Sequence, residues 1–237
     1  MRSLVSVGIA GVLASCTSVR PVHERAARQV APLQGGVLAV PGETMEFRIA
    51  LRGVTVGEVQ TAIGQPGLVG GRPAIIVRSR GKTEGILKLF GDITWELTST
   101  IDLARGQPIE DREEAWVVFA GQRDHADERH TWEPDERRHD IHSCVGAVRG
   151  WRSRPGDRNE LEVVIGGARL EVALWHVGHA FAAHEPAIRY DGIVRDEWPI
   201  SAWVSDDAAR VPLRLTAQSP WGEISVDLVD YQVPSDH

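Results

Sequence analysis

From Met45 to Val229 the chain keeps returning to one pattern: a short run of alternating apolar and polar residues, closed by a glycine or proline turn. That period of two is the signature of a strand with one buried face, and it restricts the fold more than any other feature. Met45 to Ile49 alternates, and Val54 to Val59 follows the turn at Gly53. Ala74 to Arg78 follows the Gly70 to Pro73 turn, and Ile93 to Leu103 and Trp116 to Phe119 extend the series. The last third adds Leu161 to Ile165, Arg169 to His176, Ile188 to Val194, Ile200 to Ser205, Val211 to Ala217 and Glu223 to Val229. Gly166-Gly167 and Pro220-Trp221-Gly222 are turn signals among them. The segment from Gly121 to Arg138 is very polar and reads as a loop or a hydrophilic hairpin. One stretch breaks the period. Ile141, Cys144, Val145, Val148 and Trp151 fall near the 3, 4, 7 spacing of one helical face. Asp140 can cap that helix and Pro155-Gly156-Asp157 ends it. The expected fold is mainly β: a curved antiparallel sheet or open half-barrel with one inserted helix at about residues 140–151.

The N-terminus specifies an address. Met1-Arg2-Ser3 precedes an uncharged apolar run of eleven residues, Leu4 to Ala14. A membrane-spanning helix needs about 20 residues, so this run suits the core of a secretory signal instead. Leu13-Ala14-Ser15-Cys16 resembles the bacterial lipobox, in which the cysteine is acylated and becomes the new N-terminus. Each buried methylene adds roughly 0.8 kcal/mol, so several acyl chains anchor a protein stably. The expectation is a signal peptide over 1–15, a lipidated N-terminus and flexible tether over 16–42, a single domain over 43–231 and a tail over 232–237. Thr17 is not the aspartate that marks inner-membrane retention in enteric bacteria, which favours the outer membrane, facing the periplasm.

A formal charge of -7 argues against a general nucleic-acid binder, which needs a basic face to displace phosphate counterions. The eight tryptophans read as core packing rather than a Trp-lined pocket. Once Cys16 is acylated, Cys144 has no intrachain disulfide partner and reads as a small buried hydrophobe. A nucleophile there would need a nearby base, and His139 and His142 are close in sequence.

No G-x-S-x-G elbow, phosphate-binding loop or dinucleotide fingerprint is present, so no cofactor is implied. His125, His130, His139 and His142 lie beside Asp124, Asp127, Glu128 and Asp140, residue types that suit a transition metal. Their spacing matches no zinc signature, and a solvated loop is the favoured reading. His176 and His179 sit at a turn and read as structural.

Near the C-terminus, Trp203 and Val204 end a strand, and Ser205-Asp206-Asp207-Ala208 is a turn whose carboxylates can bond backbone amides. Arg210 can pair with one aspartate, and Pro212 opens the returning strand. The rival reading is a divalent-cation site on the two carboxylates, with which Arg210 competes. This motif, with Trp221-Gly222-Glu223 after it and Pro41-Gly42-Glu43 and Gly53 to Glu58 at the start, resembles the domain of unknown function 3108, a family of exported envelope proteins of Gram-negative bacteria. The helix around Ser143 to Arg149 sits where that family has a helix ending in arginine. The resemblance covers residues 41–231, matches poorly from Gly121 to Arg138, and implies no shared activity. Its β-rich character invites a fold-level analogy with half-barrel lipoprotein carriers, whose curved sheet holds acyl chains.

The resulting expectation is a non-enzymatic envelope lipoprotein, held to the membrane by its N-terminal lipid. Its periplasmic domain would bind an apolar or amphipathic ligand such as a lipid, or an envelope-protein partner. The alternatives are a metal-dependent hydrolase using the His125–His142 region and a structural envelope component.

Overall fold

The computed structural model describes residues 39–89, 91–119, 121–133 and 138–234. The signal segment, Cys16, the tether as far as residue 38 and the last three residues lie outside these.

Among the described residues, fourteen strands and one α-helix make up the fold. The first half is a run of antiparallel neighbours: β1 (Thr44–Leu51), β2 (Val54–Ile63), β3 (Gly67–Val69), β4 (Arg72–Thr83), β5 (Asp92–Asp102), β6 (Pro108–Phe119) and β7 (Gln122–Thr131). A two-residue strand, β8 (Arg138–His139), leads into α1 (Ile141–Gly150). The second half follows: β9 (Arg158–Ile165), β10 (Ala168–Ala182), β11 (Glu185–Val194), β12 (Trp198–Ser205), β13 (Pro212–Ser219) and β14 (Gly222–Gln232). The sheet order is β7-β6-β5-β4-β2-β1-β14-β13-β12-β11-β10-β9-β8, with β3 paired to β4 at the side. The first and last long strands therefore meet in the middle, joining the two halves through β1 and β14. Among the described residues only β8 and β9 run parallel, and α1 is their crossover.

The sheet curls strongly. The short helix α1 meets β4 and β5 through His142, and β9, β10 and β11 through Cys144, Val148 and Trp151. Those strands stand far apart in sheet order, so a flat sheet could not bring both sets to one helix. The alternation read from sequence becomes the two faces of this curl. One carries the core: Met45, Ile63, Val77, Leu213, Leu228 and Tyr231. The other carries cross-strand ion pairs such as Lys82–Glu58 at 2.6 Å and Arg112–Asp127 at 2.8 Å. Exposed pairs like these add little stability each but keep the convex face wet.

One expectation changes: the packed domain already includes Ala39 and Val40, which are buried in the main cluster ahead of Glu43. Of the two readings of the polar stretch after Gly121, the hydrophilic hairpin holds: β7 pairs along β6 from Phe119↔Gln122 to Glu110↔Thr131. β7 forms one edge of the sheet, and its charged residues discourage edge-to-edge pairing there.

Candidate functional site

The concave face is where the fold departs from a plain sheet, because α1 lies in it. Asp140 caps the helix by accepting the Ser143 amide at 2.8 Å. One flank faces the N-terminal half. There the His142 ring lies between two strand hydroxyls, Nε2 2.8 Å from Ser79 Oγ and Nδ1 2.6 Å from Ser99 Oγ. Thr61 extends the chain to Ser79 at 2.7 Å. Burial pushes the His142 ring down to about 4, against an opposing pull from Asp140, so it is neutral at physiological pH.

One turn past Gly146, Arg149 makes a fully buried ion pair with Glu43, and Tyr231 donates to the same carboxylate at 2.9 Å. Arg149 also donates to the Ala209 carbonyl at 2.9 Å, which ties the helix to the turn before β13. The opening Glu43 and the helix-ending Arg149 of the sequence motif are thus one interaction. Sequence spacing could not show this, since 106 residues separate the partners.

The other flank faces the C-terminal half. Cys144, Val148 and Trp151 pack on Val163, Val172 and Leu174, and Val148 and Trp151 also reach Ile188, Tyr190 and Val204. Trp151 stacks on Tyr190 at 5.1 Å, and Arg210 donates to the Tyr190 hydroxyl. Between the two flanks, Ile141 and Val145 stand 37% and 38% exposed. This corrects the sequence reading, which placed both on a single apolar face with Cys144, Val148 and Trp151. The fully buried face is polar, made of His142, Ser143, Gly146 and Arg149.

Beyond the Ser79 and Ser99 hydroxyls, part of the concave wall is apolar. Cross-strand partners point to the same side, so pairing traces a row on the concave face from Ile49 to Val226, Leu215 and Ala202 and on to buried Tyr190. Ile49, Val226 and Ala202 are half-buried and Leu215 is exposed. Across the sheet Trp95 lies over Gly81, where an added Cβ would come within 2.3 Å of its ring. By contrast, two grooves on the convex face are polar. One, of about 430 Å³, is lined by Glu46, Gln60, Arg78, Arg80, Glu96 and Asp230 among others. The other, of about 340 Å³, surrounds Trp203, which sits between Arg189 and Arg214 at 5.3 and 5.8 Å.

The four candidate metal histidines do not converge. His125 stacks on exposed Trp116, His130 Nδ1 is 3.2 Å from Asp111, His139 is 3.3 Å from Ser143 and His142 is held by its serines. A five-residue step along β7 puts His125 and His130 on opposite faces. Among the described residues no three His, Cys, Asp or Glu side chains are grouped to hold a metal. Cys144 is no activated nucleophile: its apolar surroundings, with Asp140 nearby, push the thiol up to about 12.

The Asp206-Asp207 turn is held by its own backbone. Asp207 accepts the amides of Ala209 and Arg210 at 3.0 Å each and the Ser205 hydroxyl at 2.8 Å. Asp206 meets His179 at 2.9 Å. The arginine–aspartate brace expected from sequence gives way to the Arg210–Tyr190 bond, because Arg210, at a left-handed φ of 44°, turns inward. Pro212 opens β13 opposite Val204, as expected.

A family model described as "Protein of unknown function (DUF3108)" matches residues 46–229. No curated protein matches the chain. Among solved structures, a β-barrel-like protein of domain of unknown function DUF1849 from Brucella abortus aligns with a TM-score of 0.57 and 7% identity, covering 83% of this chain and 99% of that one. An exported protein, provisionally so described, with a YmcC-like fold from Bacteroides fragilis aligns at 0.36 and 10% identity, covering 81% and 96%. A provisionally described lipoprotein from Parabacteroides distasonis aligns at 0.37 and 6%, covering 86% and 100%. The first of these shows a shared β-barrel-like fold and nothing of activity.

Proposed function

The chain belongs to the family of unknown function DUF3108, and on that premise we propose that it is a non-enzymatic binding module whose concave face takes an apolar or amphipathic, lipid-like ligand. One observation carries this reading: α1, on the concave face, buries its polar side and leaves Ile141 and Val145 exposed. A helix that served only to fill the core would do the reverse, because burying each large aliphatic side chain gains about 1.5–3 kcal/mol. The buried ion pair and the His142 contacts fix the helix without using those two side chains, which leaves them free for a ligand. An acyl chain along the Ile49–Val226–Leu215 row would cover them.

The same reading places the protein in the envelope. Cys16 would be acylated and hold the domain at the outer membrane, facing the periplasm, with the arm before Ala39 as tether. Replacing Cys16 with Ser should release a folded protein from the membrane fraction; unchanged membrane association would refute the anchor.

The ligand reading is tested with N-phenyl-1-naphthylamine, whose fluorescence rises in apolar sites. The folded protein should bind it saturably and long-chain fatty acid should displace it, while Val145→Arg should weaken binding at least tenfold. Equal binding by the variant would move the site away from α1.

A further inference from the structure

Among the described residues, the large apolar side chains standing most clear of the protein are Leu68, 74% exposed, and Phe181, 77% exposed. Each sits beside a hairpin turn, and both turns are at the same end of the sheet. β3 pairs only with β4, Leu68 opposite Pro73, beyond Ala74, the last β4 residue in the ladder with β5. β2 ends with Ile63 opposite Val77, five residues short of Arg72. At about 3.3 Å per residue the β3–β4 tip therefore projects roughly 16 Å beyond the end of β2. A Cβ added at Gly67, Gly70 or Gly71 would meet nothing within 4 Å, while the base of the tip is tied to the β5–β6 turn by the Leu103 amide on the Pro73 carbonyl at 3.0 Å. On the other half, β10 and β11 turn through Ala183 and His184, both left-handed at φ 50° and 66°. Phe181 pairs with Pro186 just before that turn.

The N-terminal arm reaches the fold at this same end. Gly42 bonds to Ile63 at 2.9 Å, and Ala39 and Val40 share a core cluster with Ile63 and with Ala182, the neighbour of Phe181. Ahead of Ala39 the sequence carries the apolar run Leu4 to Ala14 and the lipobox Cys16. An arm of 22 residues between Cys16 and Ala39 does not by itself fix how the domain faces a membrane.

We infer that this end of the domain docks on a lipid bilayer, with Leu68, Val69 and Phe181 entering the headgroup–acyl boundary and the exposed Arg72 beside them meeting lipid phosphate. Apolar side chains carried on hairpin tips suit a fluid lipid surface, into which each can insert by itself. Docking would set the domain on end over the membrane. This does not depend on a ligand in the concave face, and its test reads a different part of the molecule.

The test is hydrogen exchange of the full chain with and without vesicles of phosphatidylethanolamine and phosphatidylglycerol. Exchange at 67–72 and 181–185 should slow several-fold on the vesicles, while the opposite end around Phe119 stays unchanged. In Leu68→Asp/Phe181→Asp the slowing should vanish although the chain still floats with the vesicles. Equal exchange with and without lipid, or slowing at Phe119 instead, would overturn the inference. So would protection that requires added envelope protein, which would assign the tips to a protein partner.

Discussion

His142 offers a quantitative check on how α1 is held. Its ring is buried between Ser79 and Ser99, and burial takes its pKa from an ordinary 6.5 to about 4. The unfolded chain therefore binds one more proton than the folded one between those two values. Stability must fall as pH drops through that window, because protons favour the state that binds them. At 1.36 kcal/mol per pKa unit the full loss between pH 6.5 and 4 is about 3 kcal/mol, roughly a third of a typical domain's stability. His142→Gln removes the titrating group and leaves Asp111 and Asp140 in place. The variant should be about 1–3 kcal/mol less stable at pH 7, from the hydroxyl partners it leaves unmet. Its disadvantage should shrink as the wild type loses its own advantage. Urea denaturation followed by tryptophan fluorescence at pH 7, 6, 5 and 4.5 would give both curves. If they ran parallel, His142 would not be buried neutral between its two serines, and this account of the helix would be wrong.

Three further perturbations follow from the same geometry. Arg149→Ala leaves Glu43 buried and unpaired, so thermal or chemical denaturation should show a loss of about 3–5 kcal/mol; a loss under 1 kcal/mol would mean the pair is not buried. Gly81→Val drives its Cβ into the Trp95 ring and should cost about 1–3 kcal/mol by overpacking, with a changed tryptophan emission; unchanged emission would refute that contact. The Cys144 peptide should resist iodoacetamide in the folded protein at pH 8 and react after unfolding in urea, because its thiol titrates near 12; rapid labelling of the folded protein would contradict its packing.

The sheet was legible wherever one face is apolar. Met45 to Ile49 and Ala74 to Arg78 lie within β1 and β4, and α1 with its Asp140 cap is where the helical spacing put it. Legibility failed where burial is polar or where both faces are wet. β6 was visible only from Trp116 because its first half, Ile109 to Ala115, is mostly charged. There Arg112 and Glu114 lie in ion pairs and Asp111 is buried with Trp132 as its donor, so apolar alternation carries no signal. β7 has no apolar face for the same reason. The helix gave its position but not its orientation, because hydrophobic spacing predicts that apolar residues go inward. Partners such as Glu43 for Arg149 and Ser79 for His142 lie 106 and 63 residues away and are set by topology. The histidines show the converse: proximity along the chain suggested a cluster, and strand alternation separates them.

Photocrosslinking reads where a lipid-like ligand sits relative to α1 in the concave face. A diazirine fatty acid irradiated with the folded protein should label peptides spanning 141–151 and 215–226, and unlabelled fatty acid should compete the labelling away. Labelling that falls on the convex face around Arg80 or Trp203, or that competition does not reduce, would contradict the account.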